Sequence, residues 1–135
     1  MTTKLACLAA AAIAGLALAA CETPGNQAMG DAEDILAQYN RTGETRECIN
    51  VTQMDEIEPI TERLWLFVMR DGTVYLNEVS QGCYDAETNF TYIQYEISGS
   101  RLCDNDTVNV LDTAGDLPRG SCALGDYERL EPVTQ

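Results

Sequence analysis

Histidine is absent from this sequence of 135 residues, and lysine occurs only once, at Lys4. Without histidine there is no imidazole for a metal site and no Ser-His or Cys-His pair for nucleophilic catalysis. Phosphate-cradling glycine loops, dinucleotide-binding fingerprints and the Gly-x-Ser-x-Gly nucleophile motif are missing as well. The sequence therefore predicts a protein that is not an enzyme, with no catalytic residues, no cofactor and no bound metal.

Long hydrophobic runs are also scarce, and the longest one lies near the N-terminus. Residues 5–20 carry no charge, follow the basic side chain of Lys4 and are soon followed by Glu22. The run is shorter than the roughly 20 residues that a bilayer-spanning helix needs. A basic start, a short apolar segment and small residues before a break are typical of a secretion signal, so residues 1–20 are predicted to be removed.

The residues at the end of this run are Leu18-Ala19-Ala20-Cys21. They resemble the lipobox of bacterial lipoprotein signal peptides, in which a branched apolar residue and two small residues precede a cysteine. The resemblance implies that Cys21 receives a diacylglyceryl group, that cleavage occurs before it, and that its amine is then acylated, for example with palmitate. Several acyl chains hold a protein stably on a membrane. An ordinary secretion signal cleaved after Ala17-Leu18-Ala19 is the alternative.

The residue after the lipidated cysteine bears on the destination of a bacterial lipoprotein. In many Gram-negative lipoproteins an Asp at that position is a signal for retention at the inner membrane. Glu22 stands there in this sequence. We therefore expect an anchor in the outer membrane with the protein facing the periplasm, and the inner membrane is the alternative.

Positive charge is nearly missing from the chain that remains after cleavage. Its seven Arg stand against 22 acidic residues, hence a formal charge of −15. Nucleic acids and anionic lipid surfaces carry the same sign of charge, so neither is an expected partner and the acyl chains must provide the attachment. We interpret the acidic residues mainly as a solubilising surface. The alternative is that they bind a cationic partner, or divalent cations that bridge to an anionic surface.

Six cysteines are present, of which Cys7 leaves with the signal and Cys21 takes the lipid. The other four are an even number in an exported chain, which predicts two disulfides: Cys48, Cys83, Cys103 and Cys122. They are widely spaced and have no Cys-x-x-Cys pair, so a zinc site is disfavoured. Of the three possible connectivities, the preferred one joins Cys83 to Cys103 and Cys48 to Cys122, which would tie the first strand to the last.

The chain is predicted to form one small domain. Residues 21–30 are expected to be a flexible lipidated tether. Residues 31–45 are expected to be a short helix and a linker, with Asp31 as the cap and Gly43 as the stop. In this helix Ile35, Leu36 and Tyr39 form a stripe that docks on the domain. Residues 46–130 form the disulfide-bonded β domain, and 131–135 a polar tail.

The β domain is predicted from short strands separated by frequent turns. The continuous apolar run of residues 64–69 suits a strand that is covered on both faces, and Asp71-Gly72 after it is the strongest hairpin signal. Residues 90–97 and 107–111 are further strands. Residues 55–58 read as a solvated turn and residues 114–120 as a loop. About six strands predict an all-β fold, a small antiparallel barrel or sandwich.

Several short motifs are shared with a known group of proteins: Arg46-Glu47-Cys48-Ile49, the hairpin of residues 66–76, Gly82-Cys83, Leu102-Cys103 followed by Asp106, and Gly120-Ser121-Cys122-Ala123-Leu124-Gly125. In these residues the chain resembles a domain-of-unknown-function family of small exported bacterial proteins with four cysteines. The resemblance covers about residues 46–130. It implies structural cysteines in one compact domain and brings no activity with it.

Three features are candidates for binding or catalytic sites. Asp104-Asn105-Asp106-Thr107 is the best calcium candidate, although Asx-rich turns before strands are common for local hydrogen-bonding reasons. Four aromatic residues are candidates for a sugar or peptide groove, with core packing as the commoner role: Trp65, Tyr75, Tyr92 and Tyr95. Paired carboxylates suit a glycosidase, but no pair stands out.

The leading hypothesis is a bacterial envelope lipoprotein that acts as a non-enzymatic interaction or accessory module and holds a protein partner at the membrane. It is supported by the predicted anchor and tether and by the lack of catalytic residue types, and it calls for an exposed apolar strand edge or groove. The first alternative is a module that binds a small ligand or a cation. The second is a carboxylate-based hydrolase of an envelope polymer, which needs two converging acids with one desolvated.

Overall fold

The computed structural model describes residues 24–134, and it describes side chains from Gly30 onward. The predicted signal of residues 1–20 and the predicted lipidation site Cys21 lie outside the described residues. A helix, ten strands and a single 3-10 turn follow one another along the chain: α1 (Pro24–Leu36), β1 (Tyr39–Arg46), β2 (Cys48–Asn50), η1 (Val51–Gln53), β3 (Met54–Pro59), β4 (Leu64–Met69), β5 (Val74–Glu78), β6 (Thr91–Tyr95), β7 (Arg101–Cys103), β8 (Thr107–Asp112), β9 (Pro118–Ala123) and β10 (Tyr127–Pro132).

The strands form three antiparallel sheets. The largest has the order β1-β10-β5-β4-β3, the second pairs β2 with β7, and the third has the order β6-β8-β9. None of the three closes on itself, so the all-β prediction is confirmed as a sandwich-like fold rather than a closed barrel. The structure has ten strands where about six were predicted. Several of the ten are short or polar, so the sequence pattern does not reveal them. Within residues 24–134, no helix has the length and apolar character that crossing a bilayer would require.

Both faces of the five-stranded sheet are covered, as the apolar run of β4 predicts. Trp65 and Phe67 point into the main core, which the sheet shares with the two smaller sheets. Leu66, between them in sequence, points to the opposite face and packs in a second cluster with Ala32 of α1. A strand buried on both faces loses the alternation of apolar and polar residues, which explains the unbroken run.

Helix α1 lies over the second face of the sheet, and both of its ends differ from the prediction. Ile35 and Leu36 are half-buried against the sheet as predicted, whereas Tyr39, predicted to complete the helical stripe, packs against the same cluster as the first residue of β1. The helix begins at Pro24 rather than at Asp31, within the segment expected to be a tether.

The predicted linker after the helix is wrong, because β1 occupies residues 39–46 and pairs with β10. Gly43 does not stop the helix. It has a φ of 73° and lies where the β1–β10 register shifts, between Arg41 and Thr45. A glycine adopts this left-handed conformation at little cost, as a strand irregularity requires.

Other polar segments are also strands. Residues 55–58, expected to be a turn, belong to β3 at the edge of the five-stranded sheet, where charged side chains are common. Strand β9 takes up part of the predicted loop of residues 114–120, and β10 runs into the predicted tail. The hairpin at Asp71-Gly72 is confirmed, and the Asp71 carboxylate accepts the Thr73 N–H at 2.9 Å.

All four cysteines of the domain form disulfides, but the preferred pairing is wrong. The bonds are Cys48–Cys103 and Cys83–Cys122. Cys48 and Cys103 face each other across β2 and β7. The prediction assumed that the strand of Cys48 lies beside the last strand. Instead β10 lies between β1 and β5, and β2 pairs with a strand that was not predicted.

One close backbone approach and one pair of side-chain hydrogen bonds fix the segments around the second disulfide. The carbonyl oxygen of Gly82 lies where a side chain on Gly120 would begin, so only glycine fits there. The fully buried Asn77 side chain donates to the Gly125 carbonyl at 2.7 Å and accepts the Gly125 N–H at 2.8 Å. The motif of residues 120–125 therefore has a packing role at both ends.

Candidate functional site

A groove separates the outer edges of β3 and β6. Across the described residues, β3 pairs only with β4 and β6 only with β8, so each strand has one edge without a backbone partner. The space between them, here called the β3–β6 groove, has a volume of about 740 Å³ and is lined by residues 54–59, 86–89, 91–93 and 95. It lies at the open margin of the sandwich.

The floor of the β3–β6 groove is apolar. Met54 and Ile57 of β3 and Ile93 and Tyr95 of β6 are half-buried and pack against the main core. These side chains form the margin of the core between the two sheets. Apolar side chains of a bound molecule would therefore continue the core rather than rest on a polar surface.

The rim of the groove is acidic. Asp55, Glu56, Glu58 and Glu87 are exposed along it, and none of the lining residues is basic. None of these four carboxylates forms an ion pair among the described residues, and together they create a negative potential that attracts positively charged groups. The groove therefore combines an apolar floor with a rim that selects cations.

The aromatic residues considered for a groove divide between three places. Trp65 is fully buried in the core, whereas Tyr92 and Tyr95 line the β3–β6 groove. The Tyr92 hydroxyl donates to the Asp116 carboxylate at 2.8 Å, and this bond raises the pKa of Tyr92. Phe90, next to the groove, is 73% exposed. Tyr75 belongs to a different site.

A second depression, of about 810 Å³, lies where β1, β10 and the β4–β5 turn meet. Arg46, Arg70 and Arg129 line it, and we call it the arginine depression. The remaining lining consists mainly of hydroxyl and amide side chains, with Tyr75 and Met69 as apolar residues. Three of the seven arginines of the chain therefore meet at one place on a molecule with a formal charge of −14.

The calcium candidate forms the turn between β7 and β8. The Asp106 carboxylate accepts the Cys103 N–H at 2.7 Å, and the Asp104 carboxylate accepts from the Asn105 side chain at 3.1 Å. Asn105 has a φ of 64°, which asparagine tolerates better than most residues. The residues of this turn thus have local hydrogen-bonding roles. Over residues 24–134, no three acidic, cysteine or histidine side chains come together in a metal-binding arrangement.

Among the described residues, three carboxyl groups have a shifted pKa, and each is shifted down. Hydrogen bonds from Arg41, Arg119 and the Thr73 backbone lower the pKa of Glu128, Asp112 and Asp71 respectively. A general acid for glycoside hydrolysis needs the opposite shift. These three acids are held in the charged form and suit surface ion pairs rather than proton transfer.

Comparison with known protein families, curated proteins and solved structures found no match for this chain. The resemblance over residues 46–130 therefore stays a prediction.

Sequence reasoning found only Tyr92 and Tyr95 of the β3–β6 groove and none of the arginine depression as a site, for physical reasons. The charged residues of β3 hid an edge strand, and the pairing that leaves its outer side free is not a local property. Arg46, Arg70 and Arg129 are far apart in sequence, and only the sheet order brings them together. The one available signal was the rarity of basic residues, which makes any cluster of them conspicuous.

Proposed function

We propose that this protein is a lipid-anchored interaction module of the bacterial envelope that holds a polypeptide partner in the β3–β6 groove. The anchor would be Cys21, and the location the periplasmic face of the outer membrane. Two disulfides in one small domain fit an oxidising compartment. The module acts by binding, in line with the lack of histidine and of catalytic motifs.

The single observation that carries this proposal is the pair of free strand edges facing one groove. A free edge presents a row of N–H and C=O groups that can pair with an added strand, a recurring mode of peptide recognition. Here the partner would gain main-chain hydrogen bonds from β3, from β6 or from both. Pro59 at the end of β3 has no N–H and limits how far the pairing extends.

The side chains around the groove indicate the chemistry of the partner. Successive side chains of a strand point to opposite faces, so an inserted strand turns every second residue to the apolar floor. Its other residues face solvent beside the acidic rim. The best-fitting partner is an extended segment in which apolar residues alternate with Lys or Arg. A second copy of this chain fits poorly, because its own edge at β3 is acidic.

The proposal is tested with a labelled peptide of alternating Val and Lys, whose binding to the full-length protein is followed by fluorescence anisotropy. The variant Asp55→Asn/Glu56→Gln/Glu58→Gln should weaken binding by about tenfold or more. The matched control Asp31→Asn/Glu33→Gln/Asp34→Asn removes three exposed charges from α1 and should leave binding nearly unchanged.

Backbone pairing is separated from simple charge attraction by a peptide of the same sequence with methylated backbone nitrogens. This peptide keeps its charge but cannot donate main-chain hydrogen bonds, so it should bind at least about tenfold more weakly. Equal binding of both peptides, or equal loss in the α1 control, would refute strand addition at this groove.

A further inference from the structure

We infer that the arginine depression is a binding site for a small anionic molecule rich in hydroxyl groups, such as a sugar acid or a sugar phosphate. This inference is independent of the proposed function, since the depression and the β3–β6 groove share no lining residue. It follows from the placement of charge, from the way one guanidinium is held, and from the polar walls.

Arg46 is held in place by the sheet. It faces Tyr127 across the β1–β10 pairing, which places it on the face that carries the main core. Its guanidinium lies 5.3 Å from the centre of the Tyr75 ring, a cation–π contact. Tyr75 is buried, so the ring is fixed. A guanidinium stacked on a fixed ring loses little freedom when it binds an anion.

Arg129 lies on the same face as Tyr75, because these two residues are direct partners across β10 and β5. Arg70 comes from the turn that follows β4. The three cations thus reach the depression from the edge strand β1, from β10 and from a hairpin turn. This convergence depends on the insertion of β10 between β1 and β5.

The carboxylates of the depression do not neutralise its cations fully. Glu44 lies 3.8 Å from Arg129, in a pair with both side chains largely exposed. In the β4–β5 turn, the Asp71 carboxylate accepts the Thr73 N–H. This hydrogen bond lowers the pKa of Asp71 and keeps its carboxylate charged. Over the part of the chain that the structure describes, neither Arg46 nor Arg70 forms an ion pair, although acidic residues outnumber basic ones 22 to 8.

Among the described residues Arg101 forms no ion pair either, but it lies outside the depression, whereas Arg46 and Arg70 line it together. An oxyanion is the ligand that their planar fork geometry fits. The walls add hydroxyl and amide groups, which suit a ligand with several hydroxyls: Thr45, Asn50, Thr52, Gln53 and Thr73. A volume of about 810 Å³ lies within the range of small-molecule sites. A carboxylate and a phosphate would both satisfy the arginines.

The experiment is isothermal titration calorimetry of the full-length protein with glucuronate, glucose 6-phosphate and glucose. At least one anionic sugar should bind saturably, and neutral glucose should not. Arg46→Gln and Arg70→Gln should each weaken that binding by about tenfold, since each removes a charge-assisted contact. The sugar that binds more tightly identifies the anionic group.

Arg119→Gln is the matched control, because it removes one exposed arginine that lies outside the depression and pairs with Asp112. It should change the affinity less than about twofold. Arg46→Lys keeps the charge but loses the stacked fork, and an intermediate loss is expected. Thermal melts of every variant show that each is folded.

Absence of saturable binding by either anionic sugar would overturn the inference. So would an equal loss in Arg46→Gln and Arg119→Gln, which would mean diffuse attraction by total charge. Since Asp55, Glu56 and Glu58 lie outside the depression, failure here leaves the peptide experiment at the β3–β6 groove unaffected.

Discussion

Tyr127 has two opposite effects in the core, one from its ring and one from its hydroxyl group. It is fully buried, and its ring makes edge-to-face contacts with Phe67 at 5.1 Å and Tyr75 at 6.2 Å between centroids. Its hydroxyl has no hydrogen-bond partner among residues 24–134. Burial raises the pKa of Tyr127 far above its ordinary value, and the nearby Asp106 carboxylate adds to the shift. The ring stabilises the fold, whereas the hydroxyl is desolvated without compensation.

A pH dependence follows from that burial. A tyrosine in the unfolded chain ionises near pH 10, and in the folded state it keeps its proton to a higher pH. The stability linked to Tyr127 is therefore fully present below about pH 10 and is lost as the pH rises further, because the unfolded state is then favoured by ionisation. Urea unfolding followed by circular dichroism between about pH 9 and pH 11 should show this loss.

The variant Tyr127→Phe removes only the hydroxyl. At neutral pH it should be as stable as the wild type or more stable by up to about 1 kcal/mol, because an unpaired buried hydroxyl is eliminated. It should also lose less stability on the alkaline side. Tyr84→Phe, at a position 51% exposed, is the control and should keep the alkaline loss. Parallel alkaline curves for Tyr127→Phe and the wild type would contradict this account.

The two disulfides differ in how deeply they are buried. Cys83 and Cys122 are buried in the main core, whereas Cys48 and Cys103 are half-buried at the two-stranded sheet β2-β7. A thiolate must reach a disulfide sulfur to reduce it, so access governs the order of reduction. The bond at β2-β7 is the accessible one.

Mild reduction of the native protein should therefore open the Cys48–Cys103 bond first. Trapping with an alkylating agent and peptide mapping should find label on Cys48 and Cys103 before Cys83 and Cys122. The double variant Cys48→Ser/Cys103→Ser serves as the control and should show only the slow labelling. Simultaneous labelling of all four cysteines, or the reverse order, would contradict the expectation.

The strands differ in how well the sequence predicts them. Strands β4 and β5 were predicted because their apolar residues and the Asp71-Gly72 turn are local signals. Strands β1 and β3 lie at the sheet edges, where polar side chains remain in solvent and backbone pairing supplies the stability, so no apolar pattern marks them. The disulfide pairing failed for a related reason, because it depends on which strands become neighbours.

The candidate sites were less predictable than the strands. Tyr92 and Tyr95 were named as possible groove residues and do line the β3–β6 groove, yet Trp65 was named on equal grounds and lies in the core. Aromatic type alone does not distinguish the two cases. The arginine depression needed the position of β10, which no local pattern encodes.

At the scale of the whole molecule, charge is distributed unevenly. The β3–β6 groove has only acidic charges on its rim, and the arginine depression gathers three of the eight basic residues. The total remains strongly negative, so the domain has no electrostatic attraction for an anionic lipid surface. The proposed membrane attachment therefore depends on the lipid proposed for Cys21.

The variant Cys21→Ser should accordingly no longer associate with the membrane. In cells labelled with a palmitate analogue, we expect the wild type to carry label and to sediment with membranes, and Cys21→Ser to do neither. Cys7→Ser lies in the same predicted signal and is the matched control, so it should behave as the wild type. Label or membrane association that persists in Cys21→Ser would refute the proposed anchor.

The place of β10 also governs the time at which the molecule can fold. A polypeptide is synthesised from its N-terminus, so β1 and β5 are made well before the strand that joins them. Until residues 127–132 emerge, β1 has no neighbour and β5 has one unpaired side. The main sheet is therefore completed only after residues 127–132 have been made, and until then β1 and the unpaired side of β5 remain open to premature pairing.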